Sequence, residues 1–149
     1  MPAINFQLRP LASADIPAVL EVQAAAPEIA QWTAADYARV AHGAMAGWVA
    51  HEKESVAGFL IARRAAGDLE ILNFAVRASA RRKGIGTALF REALDWAKSF
   101  AAENAYLEVR ASNQFAIDFY LHHNFQISGR RPRYYAHPAE DALLLTARI

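Results

Sequence analysis

The segment Arg81-Arg82-Lys83-Gly84-Ile85-Gly86 constrains the fold of this chain more than any other stretch. Before it, Leu69 to Val76 reads as a buried strand. From Gly84 to about Ala102 an amphipathic pattern reads as a helix, with Ile85, Leu89, Ala93, Trp96 and Phe100 on one stripe and Arg91, Asp95 and Lys98 opposite. Cations therefore crowd a turn whose two glycines leave backbone N–H groups bare, at the point where a helix begins. Strand, cationic glycine turn and helix in that order predict an α/β chain with a site for a pyrophosphate.

Two familiar phosphate loops fail on spacing. A P-loop needs Gly, four residues and then Gly-Lys-Ser/Thr, but here Lys83 precedes the glycines and Thr87 follows Gly86 directly. A dinucleotide fingerprint needs a third glycine where this chain has Leu89. The pattern that fits is Arg/Gln-x-x-Gly-x-Gly/Ala, with Arg81, Gly84 and Gly86 in its fixed places. It resembles the coenzyme A loop of the GCN5-related N-acetyltransferases (GNAT). The alternative is a basic helix N-terminus on the surface, so the rest of the chain has to decide.

Composition narrows the classes. The chain has 149 residues, 54% hydrophobic and 21% charged, which suits one globular domain spanning residues 1–149. A net charge of +1 argues against wholesale nucleic-acid binding. There is no cysteine, which removes disulfides, thiolate metal sites and a cysteinyl acyl-enzyme. No apolar run is long enough to span a membrane, and the first ten residues lack a signal-peptide core. The expectation is a cytoplasmic monomer.

Periodicity gives the element order β-α-α-β-β-β-α-β-α-β-β. Ile4 to Arg9 alternates as a half-buried strand. Ser13 is read as the cap of a helix to about Ala26, with Ile16, Val19, Leu20 and Gln23 at helical spacing and Pro17 in the first turn. Thr33 and Asp36 form a partial capping box for the second helix. Trp48 to His51 and Val56 to Arg64 read as strands joined by a polar turn. Ala105 to Arg110 alternates, with Leu107 and Val109 on one face and Tyr106, Glu108 and Arg110 on the other. Ser112 or Asn113 caps a short helix to His123, and Asn124 tolerates the left-handed stop. Phe125 to Gly129 and Ala142 to Ala147 are expected as final strands around a polar loop.

That order is the GNAT order, and further motifs agree with it. ILNFAV resembles the family's central strand, whose exposed backbone pairs with the pantetheine arm. LEVRASN followed by AIDFYLHHNF resembles the RimI-type subgroup, which acetylates protein N-termini. PEIAQWTAADY resembles that subgroup's substrate loop, and RPRYYAHPAEDALLL its C-terminal signature. The similarity covers nearly the whole chain. It departs at Asn124, where the family usually has glycine, and at Lys83, in place of a common glutamine. The resemblance implies a mixed, mostly antiparallel sheet of about seven strands with four helices, and a splayed parallel strand pair at the cofactor site. It also implies acetyl-CoA as co-substrate, held by Phe74, Ala75, Val76, Arg81, Arg82, Lys83, Gly84, Ile85, Gly86, Thr87 and Asn113.

The chemistry follows from what amide formation needs: a neutral amine, a polarised thioester carbonyl, donors for its oxygen and a proton for the leaving thiolate. Glu108 is the candidate base; the bland alternative is a salt bridge to Arg110. An α-amino group has a pKa of about 7.7–8.0 against about 10.4 for lysine, so roughly a tenth of N-termini are neutral at pH 7. Glu108 therefore suits an N-terminal amine better than a lysine. Tyr120 is the candidate acid, or else a core tyrosine on the stripe with Ala116 and Phe119. A backbone N–H near Ala75 or Val76 is the implied donor to the carbonyl oxygen. Trp32, Tyr134 and Tyr135 are candidate walls of a peptide groove.

The five histidines, His42, His51, His122, His123 and His137, form no HExxH-type spacing, and no metal is expected. His122 and His123 read as an exposed helix end. With no cysteine and no GxSxG elbow, direct transfer is simpler than an acyl-enzyme. The reading is therefore acetyl transfer from acetyl-CoA to a protein N-terminus, with an alanine-starting small-subunit ribosomal protein as the substrate the resemblance implies. Rival readings are acetylation of lysine or a small amine on the same scaffold, a coenzyme A-binding module without turnover, and an RNA contact through Arg130 to Tyr135.

Overall fold

The computed structural model describes residues 5–42 and 44–149. Seven strands form one sheet: β1 (Gln7–Pro10), β2 (Met45–Glu52), β3 (Ser55–Ala65), β4 (Asp68–Val76), β5 (Asn104–Arg110), β6 (Gln126–Ala136) and β7 (Ala139–Arg148). Their order is β1-β2-β3-β4-β5-β7-β6. Four α-helices complete the fold: α1 (Ile16–Ala24), α2 (Ala34–Ala38), α3 (Ile85–Lys98) and α4 (Gln114–His122).

Side-chain alternation on β3 explains the layering. Leu60 and Ala62 face one cluster, with Ile85, Leu89, Phe90 and Ala93 of α3 and Ala116, Ile117 and Tyr120 of α4. Phe59 and Ile61 face the other, with Val19 and Val22 of α1 and Tyr37 of α2. A strand buried on both faces reads as a continuous apolar run, as Val56 to Ala62 does.

All neighbouring strands pair antiparallel except β4 and β5. That parallel pair has only two register partners, Leu69 with Ala105 and Glu70 with Tyr106. Beyond them β4 continues to Val76 and β5 to Arg110 without pairing, so the strands part and open a gap in the sheet. The mixed α/β class, the mostly antiparallel seven-stranded sheet, the four helices and the splayed pair are all as expected.

Several boundaries differ from the sequence reading. Ser13 does not cap α1. It opens a short 3₁₀ turn through Asp15, whose carboxylate accepts from the Ala12 N–H at 2.8 Å and pairs with Arg9. The first strand starts at Gln7, and Ile4, part of the expected strand, lies outside the described residues. The expected polar loop between the last two strands is instead the outer part of a long β6–β7 hairpin. Both faces of that arm are largely solvated, so it carries no apolar alternation for sequence reasoning to find. Asp141 on β7 holds it, accepting from Arg130 Nε at 2.6 Å and from the Arg133 N–H at 2.9 Å. Asn124 takes φ +69°, the left-handed stop anticipated for α4.

Candidate active site

The parting of β4 and β5 leaves a cleft of about 310 Å³. Asn73 and Phe74 line it from β4, and Glu108 and Arg110 from β5. Asn113 and Tyr120 come from α4, Tyr134 and Tyr135 from β6, and Glu28, Ile29 and Ala30 from the α1–α2 loop. A smaller crevice shares Glu28, Ile29, Phe74, Asn113 and Ala116 with it and continues past Ala75 and Val76 to Arg81. The strand, the candidate base, the candidate acid and the start of the cationic turn thus lie along one connected surface.

Glu108 sits in the alternating half of β5 whose side chains face the gap. Its carboxylate meets Arg131 Nε of β6 at 3.4 Å, not Arg110. Arg110 turns to Glu140 at 3.3 Å and donates to the carbonyl oxygens of His137 and Pro138. A hydrogen bond to Glu108, reinforced by the carboxylate's charge, holds the Tyr134 phenol above its usual range. Burial, with the Glu108 charge adding to it, pushes Tyr135 up to about 12. The base candidate is therefore half-exposed, tethered and reachable from the cleft.

Tyr120 is 2% exposed. Its ring packs against Phe119 at 5.2 Å, Phe125 at 5.1 Å and Phe74 at 5.9 Å between centroids. Burial alone raises its pKa, so the phenol stays protonated across the physiological range. No described residue hydrogen-bonds its hydroxyl, while the side chain lines the cleft.

The edge of β4 supplies main-chain groups. The Arg77 N–H donates to Ala57 of β3 at 2.7 Å, so by alternation Ala75 also faces β3, while Phe74 and Val76 face the gap. Two observations agree. Asn73 Oδ1 accepts from the Phe74 N–H at 3.2 Å, and the Val76 carbonyl accepts from Arg81 Nε at 3.2 Å. Of the two main-chain N–H groups named from the sequence, it is Val76 that faces the gap.

The cationic turn has the anticipated shape. Gly84 is the N-cap of α3 at φ +84°, and Arg82 also takes a left-handed φ, +64°. The first intrahelical bond runs from the Ala88 N–H to Gly84, leaving the N–H groups of Ile85, Gly86 and Thr87 ahead of it. Bare N–H groups at the start of a helix, beside three cations in sequence, are the chemistry a diphosphate needs. The named side chains differ in what they do. The Arg81 guanidinium stacks on Phe115 at 3.9 Å, and Lys83 pairs with Glu52 at 2.9 Å. Ile85 is buried in the core, so only its N–H faces outward. A Cβ on Gly86 would meet Phe119 at 3.0 Å and Phe74 at 3.2 Å, so this glycine is needed for aromatic packing behind the turn. Thr87 Oγ1 lies 3.1 Å from His123 Nε2.

His123 is thus no free helix end. Its ring stacks on Phe119 at 4.1 Å and lies 5.5 Å from Phe90, with Nδ1 2.7 Å from the Phe119 carbonyl. Asn113 caps α4 by accepting from the Ala116 N–H at 3.2 Å and also lines the cleft. Trp32 is not on the cleft wall; its ring packs on Tyr37 at 5.2 Å. Among the described residues no group of His, Cys, Asp or Glu could hold a metal ion. Sequence reasoning missed the polar network behind the cleft, Gln23, Tyr37 and Asn73. The available signal was two amides at buried positions of an apolar helix stripe and strand.

Comparison with known proteins decides the family. The profile of the Acetyltransferase (GNAT) family matches residues 12–125. This chain belongs to the GNAT acetyltransferase family. Among GNAT proteins it is 37% identical over 82 residues to a Bacillus subtilis protein provisionally named ribosomal protein bS18-alanine N-acetyltransferase. That match covers 55% of this chain and 54% of the relative, so the chain spans about half the length of the curated relative it matches. Ard1 from Thermoplasma volcanium superposes with a TM-score of 0.84 at 28% identity, covering 97% of this chain and 98% of that one. Arabidopsis thaliana NAA60, solved in complex with acetyl-CoA, has the same fold, with a TM-score of 0.84 at 20% identity over 97% of this chain and 98% of that one. Among the described residues no helix is long and apolar enough to cross a membrane.

Proposed function

We propose that this GNAT domain, taken as one unit over residues 1–149, transfers acetyl from acetyl-CoA directly to the α-amine of a protein N-terminus. One observation carries the reading: Glu108 and Tyr120 line a single cleft that is continuous with the crevice leading to Arg81. The diphosphate rests on the N–H groups of Gly84 to Thr87, with Arg81, Arg82 and Lys83 supplying positive charge. The thiol arm runs along the open edge of β4. The Val76 N–H donates to the thioester oxygen, where charge develops as the amine attacks. Glu108 takes the proton from the amine, directly or through a water, and Tyr120 returns one to the departing thiolate. Amide formation and thioester cleavage then balance with no covalent enzyme intermediate.

The preference for an α-amine rests on basicity. A carboxylate is a poor base for a protonated lysine, whereas an N-terminus is already partly neutral at pH 7. The name of the Bacillus subtilis relative supports an alanine-starting ribosomal protein as the acceptor. Tyr134 and Tyr135 wall the acceptor side, and Trp32 contributes through Tyr37 by shaping the α1–α2 loop. The test is mass spectrometry of peptides incubated with the protein and labelled acetyl-CoA. Label on the α-amine of Ala-starting peptides is expected. Preferential label on lysine Nζ would refute the acceptor assignment.

A further inference from the structure

Behind the cleft lies a buried polar chain that the chemistry above does not use. Among the described residues the buried polar or charged side chains include Asn73 and Gln23, and both belong to this network. Asn73 Nδ2 donates to the Ala30 carbonyl at 3.0 Å and to the Tyr37 hydroxyl at 3.0 Å. The Tyr37 hydroxyl in turn donates to Gln23 Oε1. Gln23 closes a ring with the loop: its Nε2 donates to the Trp32 carbonyl at 2.8 Å, and its Oε1 accepts from the Trp32 N–H at 3.0 Å. Four segments meet here, namely α1, the irregular α1–α2 loop, α2 and the cleft strand β4.

The placement is specific in two ways. The loop residues held by the chain, Ala30 and Trp32, directly follow Glu28 and Ile29, which wall the cleft together with Ala30. Within the loop Gln31 Nε2 donates to the Ala26 and Ile29 carbonyls, each at 3.1 Å, while the loop's side-chain ties to α1 and β4 run through Gln23 and Asn73. On its other side, Asn73 Oδ1 occupies the Phe74 N–H on the open edge of β4. One amide therefore fixes both the wall facing an acceptor and the set of strand groups left for the thiol arm.

We propose that Asn73 and Tyr37 are positioning residues for the acceptor: they pin the α1–α2 loop to β4 and so set the shape of the acceptor wall. This rests on the acetyl-transfer reading, because it assigns that wall to the incoming amine. Neither residue needs to touch the reacting atoms. The cationic turn lies outside the pinned segment, and the Tyr37 hydroxyl touches neither it nor the open edge of β4, so loss of that hydroxyl leaves the coenzyme's contacts in place.

The test compares the unaltered protein with Tyr37→Phe, which keeps the ring packed on Trp32 and Phe59 and deletes only the hydroxyl. Three quantities are read: KM and kcat for an N-terminal peptide, the dissociation constant of acetyl-CoA by calorimetry, and amide hydrogen exchange at Ile29 to Trp32. Loss of the two hydrogen bonds that the Tyr37 hydroxyl makes should raise peptide KM about five- to tenfold and speed loop exchange by a similar factor. kcat and coenzyme affinity should stay within about twofold, the pattern of lost ground-state positioning rather than lost chemistry. Asn73→Leu should raise peptide KM and loop exchange further, and because it also frees the Phe74 N–H on the open edge of β4, coenzyme affinity is read only in Tyr37→Phe. Unchanged peptide KM, or a coenzyme affinity that falls by the same factor as the peptide's, would overturn the proposal. Absence of peptide turnover by the unaltered protein would instead sink the acetyl-transfer reading. In that event the exchange rates still decide the pin: unchanged exchange in Tyr37→Phe overturns it, and faster exchange upholds it.

Discussion

Replacing Tyr120 by phenylalanine separates the catalytic reading of this residue from a packing role. The ring is enclosed by Phe74, Phe90, Phe119 and Phe125, so Phe at this position keeps the shape of the cluster. The ring is buried, but the hydroxyl opens on the cleft and has no hydrogen-bond partner among the described residues, so its removal breaks no internal bond. On that ground Tyr120→Phe should leave stability within about 1 kcal/mol of the parent, because the packing is kept and no internal hydrogen bond is lost. The acid role predicts the opposite sign for activity. A positioned proton donor contributes about 10²–10⁴ in rate, roughly 3–5 kcal/mol of barrier. Single-turnover acetyl transfer, measured beside thermal unfolding, reads both. A variant as stable as the parent and at least about a hundredfold slower fits the account. A variant that transfers acetyl within about threefold of the parent would show that the hydroxyl takes no part in the transfer, and the acid assignment would fail.

Three further outcomes follow from the geometry. Gly84→Ala has open space for its methyl but forces φ +84° on alanine, so it should cost about 1 kcal/mol in chemical denaturation and weaken acetyl-CoA binding in calorimetry. Gly86→Val drives its side chain into Phe119 and Phe74 and should cost about 1–3 kcal/mol by overpacking, even without coenzyme. At Asp15, burial raises the carboxyl's pKa, but the Arg9 bond, the Ala12 N–H and the nearby positive charge outweigh it and leave the pKa lowered. A lowered folded pKa contributes stability that is complete above about pH 4 and is lost as pH falls through the folded value. Asp15→Asn should therefore unfold about 1–3 kcal/mol more easily at pH 7 and show a shallower loss of stability in acid; equal acid slopes in both proteins would contradict this.

How much of this was legible in the sequence differs from one element to the next. β5 was readable because one face is buried and the other faces the gap, so Leu107 and Val109 alternate cleanly with Glu108 and Arg110. The turn at Gly84 was readable because positive φ and bare N–H groups demand glycine. The outer β6–β7 hairpin was not, because a strand solvated on both sides leaves no period to detect. The partner of Glu108 was also out of reach. Arg110 is its neighbour in sequence, but register brings Arg131 across from β6 by way of β7. The Gln23–Tyr37–Asn73 network was hidden for the same reason: its members stand 14 and 36 residues apart, and only tertiary packing joins them.

The most direct test of the central claim is a paired measurement on Glu108→Gln, an exchange of carboxylate for amide at one position of β5. Calorimetry with acetyl-CoA should give the same affinity as the unaltered protein, because Glu108 lies apart from the cationic turn. Single-turnover transfer to an Ala-starting peptide should fall by about 10²-fold or more. Undiminished transfer by Glu108→Gln, or no heat on titrating the coenzyme into the unaltered protein, would contradict the account.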